Sequence, residues 1–316
     1  MENICFNLRT FRVPLVVVSF FIGAEIIFRM GFFWHLPYKN SMNYSHEQQK
    51  IGLIEHCEKE PELIILGSSW AEYGIDAGIL SKRTGLATLN LSIISSNLFE
   101  QSLIYKRAKT YFEGSPAYVV LLLDYSHIPV KLRTAHTKFL ITPWELKDYI
   151  RFLSREYLNE CLKYYIYLIR FRMDIQTAIL GFITNSSMYY SLDKDIHGEN
   201  IKVWEKEKRW QNFVPPSKPL EYNFKKKTIQ KFVKFLKYSF QDTCLIIVEG
   251  PLAFPAKSNF PEIFSKEVIA QPGITYFDWR KELKFRSNFH FYDFDHLNHR
   301  GAILLTNWIA EKIGTL

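Results

Sequence analysis

Cysteine is scarce and scattered. The four cysteines, Cys5, Cys57, Cys161 and Cys244, include no C-x-x-C pair, which excludes a cysteine-stapled scaffold and a thiolate metal site. Cys244 lies in the apolar run TCLIIV and reads as a small buried hydrophobe, while a Cys57–Cys161 disulfide is compatible only with an exported domain. Zinc-finger spacing, an RNP-type strand, a Gly-rich phosphate loop, internal repeats and low-complexity segments are also absent. A formal charge of +8 suits any anionic surface, lipid headgroups and acidic glycans included. With no nucleic-acid motif beside it, that charge does not argue for a nucleic-acid partner. With Phe 26 and Tyr 18 in 316 residues, the chain is too rich in aromatics to be disordered.

What is present begins with an apolar stretch, FRVPLVVVSFFIGAEIIFRMGFFW, from Phe11 to Trp34. Residues 13–34, at about 1.5 Å per residue, are long enough for a hydrocarbon core of about 30 Å. Glu25 and Arg29 stand four apart on one helix face and can partly neutralise each other, which suits a helical partner in the membrane. Arg9 and Arg12 precede the span and favour a cytoplasmic N-terminus with an exported remainder. A cleaved signal peptide fits less well, because Ile22-Gly23-Ala24 is a poor cleavage site followed by more apolar sequence. A buried soluble helix is the other alternative. The expected organisation is an N-terminal tail at 1–12, a single-pass signal anchor at 13–34, a polar stem with one short helix at 35–60, and an exported domain at 61–316.

Within that domain, strand-like and helix-like runs alternate. Apolar strands are expected at Glu62–Gly67, Leu86–Ser92, Ala117–Asp124, Thr243–Pro251 and Ile274–Arg280, with helices between them and a closing helix at Gly301–Gly314. Near-continuous apolar strands point to a three-layer, doubly wound α/β fold with a parallel sheet. Residues from about 129 to 219 break the pattern with an aromatic and basic helical stretch, read as an insertion that packs as a subdomain or faces a membrane.

Ligands of such sheets bind outside the carboxyl ends of the strands. Two stretches fall there. In LGSSW, Ser68 and Ser69 follow a strand; either can simply cap a helix, or one can be a nucleophile. In FYDFDHLNHRGA, Asp293 and His296 are three apart, so a carboxylate can hold an imidazole whose other nitrogen faces a serine. His290, Asp293, Asp295, His296 and His299 also admit a metal reading, and His296 a structural one, but one contiguous loop rarely directs so many side chains at a single point.

Gly67-Ser68-Ser69, Asn90-Leu91-Ser92 and Asp293-Phe294-Asp295-His296-Leu297-Asn298 together resemble the SGNH/GDSL hydrolase superfamily. The similarity is greatest to its membrane-anchored, exported branch, which includes proteins of alginate acetylation and of lipoteichoic acid D-alanylation. The resemblance covers about residues 61–128 and 228–316 and implies a flavodoxin-like fold. It makes Ser69 the nucleophile, His296 the general base and Asp293 its orienting carboxylate, with no metal or cofactor. Oxyanion donors would be the backbone N–H of Ser69 and that of Ser95, which stands where the family usually has glycine. The family's third-block asparagine is missing from LLLDYSH at Leu121–His127, so either Asn90, Asn97 or Ser126 replaces it or the enzyme is slow or specialised. Losing one such donor costs roughly two to three orders of magnitude in rate. Asp124, Ser126, His127 and Asn97 would line the substrate cleft. The implied function is acyl-ester hydrolysis or O-acyl transfer on a cell-surface polysaccharide or glycolipid, with a membrane-bound O-acyltransferase as partner. The alternative is a catalytically weak scaffold that binds glycan or organises a membrane complex.

Overall fold

The computed structural model describes residues 46–125, 128, 220–254, 256–268 and 271–316, together with residues 19, 20, 22–24 and 26, which are helical. The expected insertion at 129–219 and most of the expected span at 13–34 lie outside the described residues. Among the described residues no helix is long and apolar enough to cross a membrane.

Seven strands are described: β1 Leu63–Gly67, β2 Thr88–Asn90, β3 Tyr118–Leu123, β4 Leu220–Tyr222, β5 Cys244–Glu249, β6 Ala256–Ser258 and β7 Ile274–Phe277. Five of them form one parallel sheet in the order β2-β1-β3-β5-β7. The chain winds outward in both directions from the neighbours β1 and β3, so their carboxyl ends flank the topological switch point, where ligands of open α/β sheets bind.

Eight α-helices are described: α1 His46–Glu55, α2 Ser69–Gly74, α3 Ala77–Thr84, α4 Leu98–Tyr111, α5 Lys226–Ser239, α6 Phe260–Val268, α7 Ser287–His290 and α8 His299–Ile313. Strand side chains alternate between two cores. Ile64, Leu66, Val119, Leu121, Leu245 and Ile247 pack under α1, α4, α5 and α6. Leu63, Ile65, Val120, Leu122, Ile246 and Val248 pack under α2, α3 and α8. Because both faces are covered, these strands read as unbroken apolar runs rather than as alternation.

Three local differences from the sequence reading have physical causes. The stretch after β1 is two helices, because Ile75 is extended and the Asp76 carboxylate accepts from Ile79 N–H at 2.7 Å, starting α3 afresh. The last strand stops at Phe277, where Asp278 caps a 3-10 turn at Trp279–Lys281. The short parallel pair of β4 and β6 has three residues per strand, too few for a periodic signal. The helix expected in the stem is α1, and it is docked on the domain: Ile54 is in the core and Lys50 is fully buried. The folded unit therefore includes chain ahead of residue 61.

Candidate active site

The turn from β1 into α2 is built around Gly67. Its φ of +152 is one that L side chains rarely adopt, and a Cβ there would stand 2.6 Å from Ala71 Cβ and 2.9 Å from Leu122 O. Gln101, wholly buried on α4, grips this residue from both sides. Its Oε1 accepts from Gly67 N–H at 3.0 Å, and its Nε2 donates to Gly67 O. Ile93 N–H and Ser96 Oγ donate to the same carbonyl, at 3.0 and 3.3 Å. The peptide ahead of the serines is thus clamped by β2's loop and by α4. Ser68 is the N-cap of α2, its Oγ accepting from Trp70 N–H at 3.4 Å, which leaves Ser69 as the first helical residue. A first-turn N–H has no intrahelical acceptor and can serve a ligand. The Trp70 ring packs against Gly250 just after β5, where an added Cβ would stand 1.8 Å from it.

The second half of the site is the loop before α8. Phe291 and Leu297 form an antiparallel bridge, and Tyr292 N–H donates to His296 O at 2.9 Å. Asn298 caps α8 by accepting from Gly301 N–H at 3.1 Å, while its Nδ2 donates to Phe289 O at 2.9 Å. Ala253 N–H, from the chain after β5, donates to Phe294 O at 3.0 Å and ties the loop tip to the sheet. Within this frame Asp293 Oδ1 accepts from His296 N–H at 2.8 Å and Asp295 N–H at 3.1 Å. Both Asp293 oxygens lie 3.0 Å from His296 Nδ1. On the far side of the ring, Nε2 lies 2.8 Å from Ser69 Oγ, across 227 residues of sequence.

Asp295 is the addition that sequence reasoning missed as a partner of the histidine. Its Oδ1 is also 3.0 Å from His296 Nδ1, so two carboxylates face one ring nitrogen. Burial pulls the His296 pKa down, but hydrogen bonds and charge from Asp293 and Asp295 outweigh it and raise the value from 6.5 to about 9. For Asp293 burial acts upward, and the hydrogen bond and charge of His296 with the two backbone N–H groups prevail, lowering it from 3.8 to about 2. Tyr73, one turn after Ser69, meets the His296 ring edge-on at 6.0 Å between centroids.

The other expected site residues divide. Asn90 is not an oxyanion donor: its Nδ2 donates to Ala71 O at 3.2 Å and Ile75 O at 3.3 Å, and its Oδ1 accepts from Ser92 N–H. Its amide is fully buried and spent on joining β2 to α2. Asn97 does not line an open cleft either; it is fully buried, and its Oδ1 caps α4 through Phe99 and Glu100 N–H. Ser95 is exposed in the turn between β2 and α4, with a φ of +58 that is uncommon for a residue other than glycine. Asp124 is half-buried at the end of β3. Ser126 and His127 lie outside the described residues.

Tyr222, at the end of β4, was not anticipated. Burial first, then the negative charges of Asp124 and Asp295, push its hydroxyl pKa up, and its ring packs on Tyr125 at a tilt of 38°, with centroids 4.4 Å apart. Tyr125 in turn donates to the buried Glu249 at 2.5 Å. Of the five residues with metal-ligand chemistry, Asp293, Asp295 and His296 bring one donor atom each within 4.8 Å of one another. His290 is held apart, its Nδ1 accepting from Arg286 N–H at 2.9 Å. Asp293 Oδ1 already accepts from two backbone N–H groups, and the Nδ1 side of His296 faces both carboxylates.

No family model and no curated protein matches the chain. Solved structures similar to it include a protein from Streptococcus pneumonia provisionally assigned as a platelet activating factor, at 12% identity and TM-score 0.42, covering 91% of this chain and 98% of that one. An acetyl xylan esterase from the rumen bacterium Butyrivibrio proteoclasticus is similar at 10% identity and TM-score 0.31, covering 80% of this chain and 64% of that one. These likenesses are slight, and the geometry around Ser69 stands without them.

Proposed function

We propose that this protein is a serine acyl-esterase or O-acyltransferase that works through an acyl-enzyme. The observation that carries this reading is the 2.8 Å approach of His296 Nε2 to Ser69 Oγ with Asp293 behind Nδ1. Hydrogen-bond reach between nucleophile and base, with a third group orienting the base, is the signature of an activated serine.

In the reactive form His296 is neutral. Its Nδ1–H points at Asp293, and Nε2 accepts the Ser69 hydroxyl proton as Oγ attacks an ester carbonyl. Negative charge gathers on the carbonyl oxygen, where the Ser69 N–H and the backbone of the Ser95 turn are the candidate donors. Collapse breaks the ester bond, and Nε2–H passes its proton to the departing alkoxide. His296 then deprotonates water or a sugar hydroxyl as that oxygen attacks the acyl carbon; the acyl–Oγ bond breaks, Nε2–H returns its proton to Ser69 Oγ, and a free acid or a new ester leaves.

The substrate class is an acylated polysaccharide or glycolipid of the cell surface. Supporting it are the apolar stretch at 13–34 and the net charge of +8, which suit an anchored domain at an anionic envelope. The partner proposed for transfer is a membrane-bound O-acyltransferase. The test is labelling with a fluorophosphonate probe: wild type should label and Ser69→Ala should not. Equal labelling of the two, or none of either, removes the nucleophile assignment. A second reading, a glycan-binding scaffold, is favoured by the commitment of Asn90 to the fold instead of the oxyanion. Tight glycan binding with no ester turnover would select it.

A further inference from the structure

The six-residue helix α2 is too short to hold its own axis, since the few hydrogen bonds of one or two turns do not repay helix nucleation. Its direction, and with it the position of Ser69 Oγ, depends on tertiary ties. One of these comes from outside the expected domain. Lys50, on α1, has a fully buried side chain, as has Glu72 on α2. Lys50 Nζ lies 2.9 Å from Glu72 Oε2 and donates to Asn90 O at 2.7 Å. Asn90 is the residue whose amide holds Ala71 O and Ile75 O, so one ammonium braces both the end of β2 and the helix that β2 grips.

A buried ion pair is a poor device for stability, because apolar residues of similar volume usually serve as well or better. What it does supply is a direction, since a buried carboxylate has to meet its ammonium. Glu72 stands three residues after Ser69, within the same turn, so a helix rotated away from Lys50 also carries Ser69 off His296 Nε2.

We propose that Lys50 is a positioning residue for Ser69, acting through Glu72, and that α1 belongs to the catalytic unit. The proposal rests on Ser69 being the nucleophile. It extends the working enzyme into the segment that joins the domain to the apolar stretch at 13–34, so whatever holds or pulls on that segment acts on the serine through one buried charge.

The experiment uses the full chain and the paired variant Lys50→Met/Glu72→Leu, which removes both charges of the pair together. Melting temperature, the rate of fluorophosphonate labelling, and kcat and KM on p-nitrophenyl acetate are measured. The expected result is a folded variant with KM near that of wild type and labelling and kcat down on the order of tenfold to a hundredfold, the cost of a small misplacement of a reacting group. The near-isosteric Glu72→Gln should shift the same quantities in the same direction. Labelling of either folded variant at the wild-type rate overturns the proposal, and so does failure of both variants to fold, which would make the pair purely structural. Wild type that does not label, or Ser69→Ala that labels equally, overturns the nucleophile assignment and this proposal with it.

Discussion

The double carboxylate behind His296 makes a quantitative demand on the pH dependence. An imidazole with a pKa of about 9 is neutral in only about one molecule in a hundred at pH 7, and each further pH unit multiplies that fraction by about ten. Since the base acts in its neutral form, kcat/KM for a neutral ester should climb about tenfold per unit between pH 6 and pH 8 and level off near pH 9. The assay is initial-rate hydrolysis of p-nitrophenyl acetate across that range, corrected for alkaline background and for Ser69→Ala. Replacing Asp295 by Asn removes one of the two charges at Nδ1, so the midpoint should move acidward while the plateau persists. A midpoint between 6 and 7 in wild type, or no movement in Asp295→Asn, would refute the reasoning. Linkage gives an independent check. The raised His296 pKa contributes stability that is complete below about 6.5 and lost as pH rises through about 9. The depressed Asp293 pKa contributes stability present above 3.8 and lost as pH falls toward about 2. The melting temperature should therefore fall on both sides, and Asp293→Asn should flatten both limbs.

Two further substitutions probe the turn that presents the serine. Gly67→Ala places a Cβ 2.6 Å from Ala71 Cβ and 2.9 Å from Leu122 O at a backbone angle alanine resists, so expression should shift to the insoluble fraction, or the melting temperature should drop steeply. Gln101→Leu leaves the buried Gly67 N–H without its acceptor, at a cost of about 1–3 kcal/mol. The melting temperature should fall by about 2–4 °C for each kcal/mol lost, with slower labelling of Ser69; unchanged labelling would show that the clamp serves the fold alone.

Much of the architecture was legible because its signals are local. Apolar runs of five or six residues bounded by Pro61, Gly67 and Pro116 mark strands covered on both faces. Gly85 marks a helix end, and the structure gives it the left-handed conformation of a C-cap. The three-residue spacing of Asp293 and His296 belongs to one loop and could be read directly. Asn90 was misread for the complementary reason: an amide at the end of a strand has the same local appearance whether it faces a ligand or the carbonyls of a neighbouring helix. Lys50 gave no sign at all, since a lysine in a polar stretch reads as solvated until a buried carboxylate is found opposite it. Tyr222 stands beside Asp124 and Asp295 only because the chain returns to the carboxyl end of the sheet at β4.

By itself, then, the sequence determined the five strands of the main sheet, that this sheet is parallel and covered on both faces, and that Ser69 and the Asp293–His296 loop lie at its carboxyl end. Periodicity, capping and loop spacing depend on residues a few positions apart. Only the tertiary structure decided that Ser69 and His296 meet at 2.8 Å, that Asp295 shares the histidine, that Asn90 is spent on the fold and that Lys50 reaches Glu72. Each of these is the satisfaction of a polar group by a partner distant in sequence or around a loop, and a buried polar group takes whichever partner the packing brings within reach.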